Sequence, residues 1–154
     1  MAQPQSNEQV IAAYAEASAR LDMDALAALR HPDWRVIWPQ SGEEVHSSEA
    51  FAEIIRNYPG GAATSEVTRV VGAEDRWVVT PGNTVVMVAG SGDFWWSEWR
   101  VTYPDGELYL CVDLIEVRDG KIWRETVYWA SPFEAPAWRS PWVARPAGGP
   151  LPGR

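Results

Sequence analysis

The sequence predicts an α+β domain, with helices first and a long antiparallel meander after them. Two observations carry this. As far as Gly61, the longer apolar runs repeat every three or four residues and end at caps, prolines and glycines. Beyond Gly61 the pattern changes to period two, punctuated by Pro104-Asp105-Gly106 and Asp119-Gly120, both strong hairpin signals. The meander predicts a curved sheet with the helices packed on one face.

In chain order, Ser6-Asn7-Glu8-Gln9 fits a capping box. A helix follows to about Arg20, with Val10, Ile11, Tyr14, Ala17 and Leu21 as its apolar stripe. A shorter helix, Met23 to Leu29, is capped by Asp22 or Asp24 and ended by His31-Pro32. Asp33 to Trp38 reads as a strand, Pro39-Gln40-Ser41-Gly42 as a turn, and Glu43 to His46 as a return strand. Ser47 or Ser48 caps a third helix, whose apolar face is Phe51, Ile54, Ile55 and Tyr58. Strands are expected at Glu66–Val71, Arg76–Thr80, Thr84–Ala89, Phe94–Tyr103, Glu107–Val117 and Lys121–Ala130. Pro81-Gly82-Asn83 and Gly90-Ser91-Gly92 are expected as further turns.

The 154 residues suit one domain with a real core. We place it at residues 1–135, with a Pro-rich, partly disordered extension at 136–154. Pro132 to Trp142 keeps aromatics and is placed to wrap back as a cover. A net charge of −8 argues against nucleic-acid binding and against an anionic membrane surface. No apolar run approaches the roughly 20 residues that span a bilayer. A single cysteine and no basic-then-apolar leader make a cytoplasmic location the expectation. Ten tryptophans exceed what a small core needs, so some are expected to line a cavity for a small hydrophobic molecule.

One acid stands out. On Glu107–Val117, Asp113 shares a face with Tyr109, Cys111, Ile115 and Val117, while Leu108, Leu110, Val112 and Leu114 occupy the other face. Two apolar faces imply cover on both sides, one of them a pocket or core. A buried carboxyl needs a partner or a shifted pKa. With a regular two-residue turn at Asp119-Gly120, Asp113 faces Thr126, and Arg124 and Tyr128 lie diagonal to it. Asp113 is then either a structural acid satisfied by those neighbours or a functional acid in an apolar cavity. A one-residue change of register turns Glu125 to the pocket side instead.

Other candidates are weaker. His46, near a helix N-terminus, is either a neutral base or an exposed loop residue. Trp95 and Trp99 are assigned to the pocket side of their strand. Trp34, Trp38, Tyr58 and Trp129 are further lining candidates, with ordinary packing as the alternative. Cys111 shares the face of Asp113 but has no histidine at an activating spacing, so it reads as packing. No metal-ligand spacing, nucleotide-binding loop or nucleophile elbow is present, so neither cofactor nor metal is expected.

The order of elements, together with DALAALRHPDW, VIWPQSGEEV, SSEAFAEIIRNYPGG and VDLIEVRDGKIWRETVYWASPF, resembles the SnoaL-like branch of the nuclear-transport-factor-2-like superfamily over residues 8 to 135. PQSGE, NYPGG and PFEAPAW are similar to a bacterial subgroup of it. The resemblance implies a cone-shaped α+β barrel, a strongly curved, mostly antiparallel sheet wrapped around N-terminal helices. It also implies a homodimer paired through the outer sheet face. Tyr14 and Asp113 resemble the tyrosine and protonated aspartate that bind the oxyanion in ketosteroid isomerase. Where that isomerase keeps its catalytic base, this chain has Trp38, which cannot abstract a proton. The expected function is cofactor-free isomerisation, cyclisation or dehydration of a hydrophobic cyclic or polyketide-like molecule. In that reading Tyr14, Asp113 and His46 or Glu125 are catalytic, and Trp34, Trp38, Tyr58, Trp95, Trp99, Cys111, Arg124, Tyr128 and Trp129 bind substrate. The alternative is a non-catalytic ligand-binding protein with the same pocket.

Overall fold

The first helix, α1 (Asn7–Arg20), is held at its start by the expected capping box: Gln9 N–H donates to the Ser6 hydroxyl, and the Gln9 side chain accepts from Ser6 N–H. Its stripe Val10, Ile11, Tyr14 and Ala17 is buried, and Leu21 closes it in a left-handed conformation at φ 53°. The computed structural model describes residues 5–79 and 85–144. Helix α2 (Met23–Leu29) is capped by Asp22 and passes directly into strand β1 (Arg30–Trp38). This strand starts earlier than the expected Asp33. Pro32 is tolerated inside it because the ladder to its neighbour is interrupted between Arg30 and Arg35, so no donor is missed there. Strand β2 (Glu43–Val45) returns, and Ser47 caps helix α3 (Ser48–Arg56).

Four expected strands merge into two. The described parts of the expected Glu66–Val71 and Arg76–Thr80 lie in β3 (Thr64–Val79), while those of Thr84–Ala89 and Phe94–Tyr103 lie in β4 (Val85–Thr102), which ends one residue before Tyr103. Gly90-Ser91-Gly92, expected as a turn, is absorbed as an irregularity between the pairs Ala73↔Phe94 and Asp75↔Ala89. Glycines let the strand bulge there without reversing direction. The Pro81-Gly82-Asn83 turn lies outside the described residues. Strands β5 (Leu108–Arg118) and β6 (Lys121–Ala130) complete a sheet of order β2-β1-β6-β5-β4-β3. It is antiparallel except for β1 beside β6. The sheet does not close, and it curves around α1 as a cone.

Inside it, Val10, Ile11, Tyr14, Leu26, Trp34, Val36, Ile115, Val117 and Ile122 form one cluster. Ile122 is 0% exposed. Ile122→Ala is therefore expected to cost about 2–5 kcal/mol in a urea unfolding titration.

The β5–β6 hairpin sets the register of everything that follows. Asp119 (φ 53°) and Gly120 (φ 69°) make the two-residue turn, and Val117 pairs with Ile122 as expected. A bulge at Trp123 then shifts the ladder: Glu116 pairs with Arg124, Ile115 with Glu125, and Asp113 with Val127 rather than Thr126. Ile122 and Glu125, three residues apart, consequently both point inward and are buried.

After Ala130 the chain runs to a short 3₁₀ helix, Ala137–Trp142. Phe133, Trp138 and Trp142 are 77%, 74% and 78% exposed. The expected wrap back over the cavity is not formed by the described part of this segment, none of which lines it.

Candidate functional site

A cavity of about 570 Å³ lies between the concave face of the sheet and helices α1 and α3. Trp38, Trp99, Tyr109 and Trp129 wall it from the strands, Tyr103 from the turn after β4, and Phe51, Ile54, Ile55 and Tyr58 from α3 and the loop beyond. Ile54 is 39% exposed, so the rim reaches solvent on the α3 side. Tyr103 stacks on Tyr58 at 4.9 Å and meets Tyr109 edge-on at 5.3 Å, which makes one side of the cavity a rigid aromatic surface. Gln40 ties the β1–β2 turn to this wall. Its amide donates to the Trp129 carbonyl, and its own oxygen accepts from Trp129 N–H at 2.8 Å.

The polar groups gather deep in the cavity. Asp113 on β5 and Glu125 on β6 both line it, and both are buried, at 7% and 6% exposure. Glu125 Oε2 accepts two bonds, from the Tyr14 hydroxyl at 2.7 Å and from Trp34 Nε1 at 2.6 Å. Arg30 Nε donates to the Tyr14 oxygen at 2.9 Å. Its guanidinium stacks over Trp34 at 3.6 Å and faces Phe51 at 4.6 Å. Asp113 Oδ1 has no hydrogen-bond partner among the described residues. Burial first, then the charge of Glu125 and a hydrogen bond to it, hold the Asp113 carboxyl well above the usual carboxylate range, against a smaller opposing pull from Arg30. Burial and Glu125 likewise raise the Tyr14 hydroxyl well above its ordinary value. Asp113 thus holds its proton more tightly than an ordinary carboxyl, while two donors meet Glu125 at Oε2. Two carboxyl groups in such different surroundings can donate and accept a proton within the same site.

The bulge has the consequence that both acids are on the pocket side, where a regular ladder offers one or the other. Trp38, Tyr58, Trp99, Cys111 and Trp129 line the cavity with them. Trp34 stands behind Glu125 rather than at the cavity surface. Cys111 is buried, and its thiol is pushed up to about 12 by burial and then by Asp113, so near neutral pH it remains a thiol.

Besides Trp34, four placements differ from expectation. Arg124 points to the outer face, where it pairs with Glu116 (Nε to Oε1, 3.0 Å), and Tyr128 is also outside, at 46% exposure. Both follow from the bulge, which inverts the alternation of β6. Trp95 packs against the core and donates to Gly92 O at 2.7 Å without reaching the cavity. His46 follows β2 with a 71% exposed side chain, 3.8 Å from Glu44, and faces solvent.

Arg30 was missed by sequence reading. Starting β1 at Asp33 leaves it on a helix end, whereas continuing the alternation of Trp34 and Val36 backward puts it on the buried face. Ser97 was missed too. It is 1% exposed, directly opposite Asp113 on β4, and accepts from Trp99 Nε1 at 2.6 Å. No group of three or more metal-ligating side chains occurs among the described residues. None of their helices is long and apolar enough to cross a membrane.

A family model described as the SnoaL-like domain matches residues 11–125. The chain belongs to the SnoaL-like family. The family resemblance and the cone-like α+β fold expected from the sequence are both borne out. This SnoaL-like chain is 31% identical to an NTF-2-like protein of unknown function from Burkholderia xenovorans LB400, covering 90% of this chain and 94% of that one, at a TM-score of 0.68. A putative ketosteroid isomerase from Kribbella flavida DSM 17836 superposes at a TM-score of 0.70, with 23% identity over 94% and 93% of the two chains. An LEH-like epoxide hydrolase of M. tuberculosis does so at 0.55, with 14% identity over 80% and 82%. At those identities the two enzymes show the shared fold. No curated protein matches the sequence.

Proposed function

We propose that this SnoaL-like protein is a cofactor-free proton-transfer catalyst acting on a hydrophobic cyclic molecule, by isomerisation, cyclisation or dehydration. The observation that carries this is the Asp113–Glu125 pair, both carboxyls buried at the base of an aromatic cavity, with Glu125 held by two donors and Asp113 Oδ1 left without a partner among the described residues. Asp113 is the general acid, its proton available to a carbonyl or hydroxyl oxygen of the substrate. Glu125 is the base that takes a proton from carbon. Tyr14 plays a different part from the oxyanion donor suggested by resemblance, because its single hydroxyl proton is spent on Glu125. It fixes the base. Trp34 does the same from the other side and excludes water.

The test uses a flat cyclic ketone, 2-tetralone, in D₂O. Wild type is expected to accelerate exchange of its α-protons, read by NMR, while Asp113→Asn and Glu125→Gln each lose roughly 10²- to 10⁴-fold. Quenching of tryptophan fluorescence should show that the ketone still binds both variants. Binding without exchange in the wild type defeats the catalytic reading and leaves a ligand-binding protein.

A further inference from the structure

Arg30 is 6% exposed, yet it has no ion-pair partner within 4.0 Å among the described residues. A guanidinium has five N–H donors and a fixed positive charge. Two donors are used, one on Tyr14 at 2.9 Å and one on Ser48 Oγ at 3.4 Å. The aromatic faces of Trp34 and Phe51 hold the plane of the group but accept no further conventional hydrogen bond. The residue lines the cavity. In the hydrogen-bond network Glu125 is reached only through the Tyr14 hydroxyl, and its Oε2 is already met by Tyr14 and Trp34. Helix α3 begins at Ser48 beside the guanidinium, so the positive end of its dipole adds to the same field. A buried cation with unspent, fork-shaped donors in an apolar chamber matches a planar oxyanion, and a carboxylate above all.

We infer that the ligand of this cavity is an amphipathic carboxylic acid: its carboxylate docks on Arg30 and its flat apolar body lies against Tyr58, Tyr103, Tyr109 and Trp129. This inference rests on the proposed function for the location of the chemistry and adds the substrate class. Arg30 and Glu125 are separated by one hydroxyl, so a docked carboxylate brings the carbons next to it toward the Asp113–Glu125 pair. Loss of a proton from such a carbon, with its return elsewhere on the same skeleton, balances without a co-reactant. An amine in the same position meets the guanidinium with like charge and is rejected.

The experiment compares three probes of one skeleton, 2-naphthoic acid, its methyl ester and 2-naphthylmethylamine, by quenching of tryptophan fluorescence at pH 7. Wild type is expected to bind the acid roughly 10- to 100-fold more tightly than the ester, the range of one or two charge-assisted bonds, and the amine most weakly. Any other order overturns the inference. Arg30→Met and Arg30→Gln, checked for folding by circular dichroism, should bind acid and ester alike; an acid preference that survives in either folded variant also overturns it. If neither variant folds, the wild-type order decides alone. Equal binding of acid and ester with tetralone exchange intact removes the substrate class and leaves the proton-transfer reading standing. A preference for the acid without exchange does the reverse.

Discussion

Asp113→Asn is expected to become more stable than wild type as the pH rises, while turnover is lost. The folded-state pKa of Asp113 lies well above its unfolded value near 3.9. The folded protein therefore holds a proton that the unfolded chain releases, and wild-type stability falls as pH climbs from about 4 toward the folded pKa. The slope is at most about 1.4 kcal/mol per pH unit and vanishes above the folded pKa. Asparagine does not titrate, and its amide N–H₂ can donate to Glu125 as the carboxyl does. Titrating groups that do not feel Asp113 are common to both proteins and cancel in the difference. Urea midpoints from pH 4 to 9 should start close together and separate as the pH rises. A gap that stays constant, or a wild type that gains on the variant, means that Asp113 is ionised in the fold and defeats the assignment of the acid.

Tyr14→Phe removes one oxygen atom and leaves two charged groups short of a partner. Glu125 loses its 2.7 Å donor and Arg30 its 2.9 Å acceptor, both inside the core. Hydrogen bonds to charged groups contribute about 1.5–3 kcal/mol each, and an orphaned buried charge costs more than the bond itself. The expected loss is about 2–4 kcal/mol by chemical denaturation. Trp34→Phe strips Glu125 of one donor, keeps an aromatic face beneath Arg30, and should cost less. In a double-mutant cycle, adding Glu125→Gln to Tyr14→Phe should recover part of the loss, because the amide has no charge to strand. Strict additivity argues that Tyr14 and Glu125 are not coupled.

The helices and the turns at Asp119-Gly120 and Pro104-Asp105-Gly106 were legible because each rests on local chemistry: a capping box, a left-handed position, an apolar stripe. The tryptophan excess pointed to an aromatic cavity for a similar reason, since an apolar surface beyond the needs of the core has to be placed somewhere. What could not be read was non-local. Strand alternation makes Arg124 and Glu125 equally good inward residues, and only the Trp123 bulge decides between them. Gly90-Ser91-Gly92 has the composition of a turn, but whether it reverses the chain depends on the strand beside it. Arg30 escaped because Pro32 suggests a break, and the break is in the hydrogen-bond ladder rather than in the strand.

The bulge at Trp123 also gives β6 slack. Ile122 keeps phase with the turn, Glu125, Val127 and Trp129 keep phase with the cavity, and Trp123 is the spare residue between the two. A chain shortened by one residue at this point can straighten while Glu116 stays opposite Arg124 and Ile115 opposite Glu125. Single-residue length variation near the hairpin tip is thereby decoupled from the acid pair. A library meant to change ligand preference should vary residues 127 and 129 of this strand, keep Glu125, and leave 124, 126 and 128, which belong to another surface, untouched.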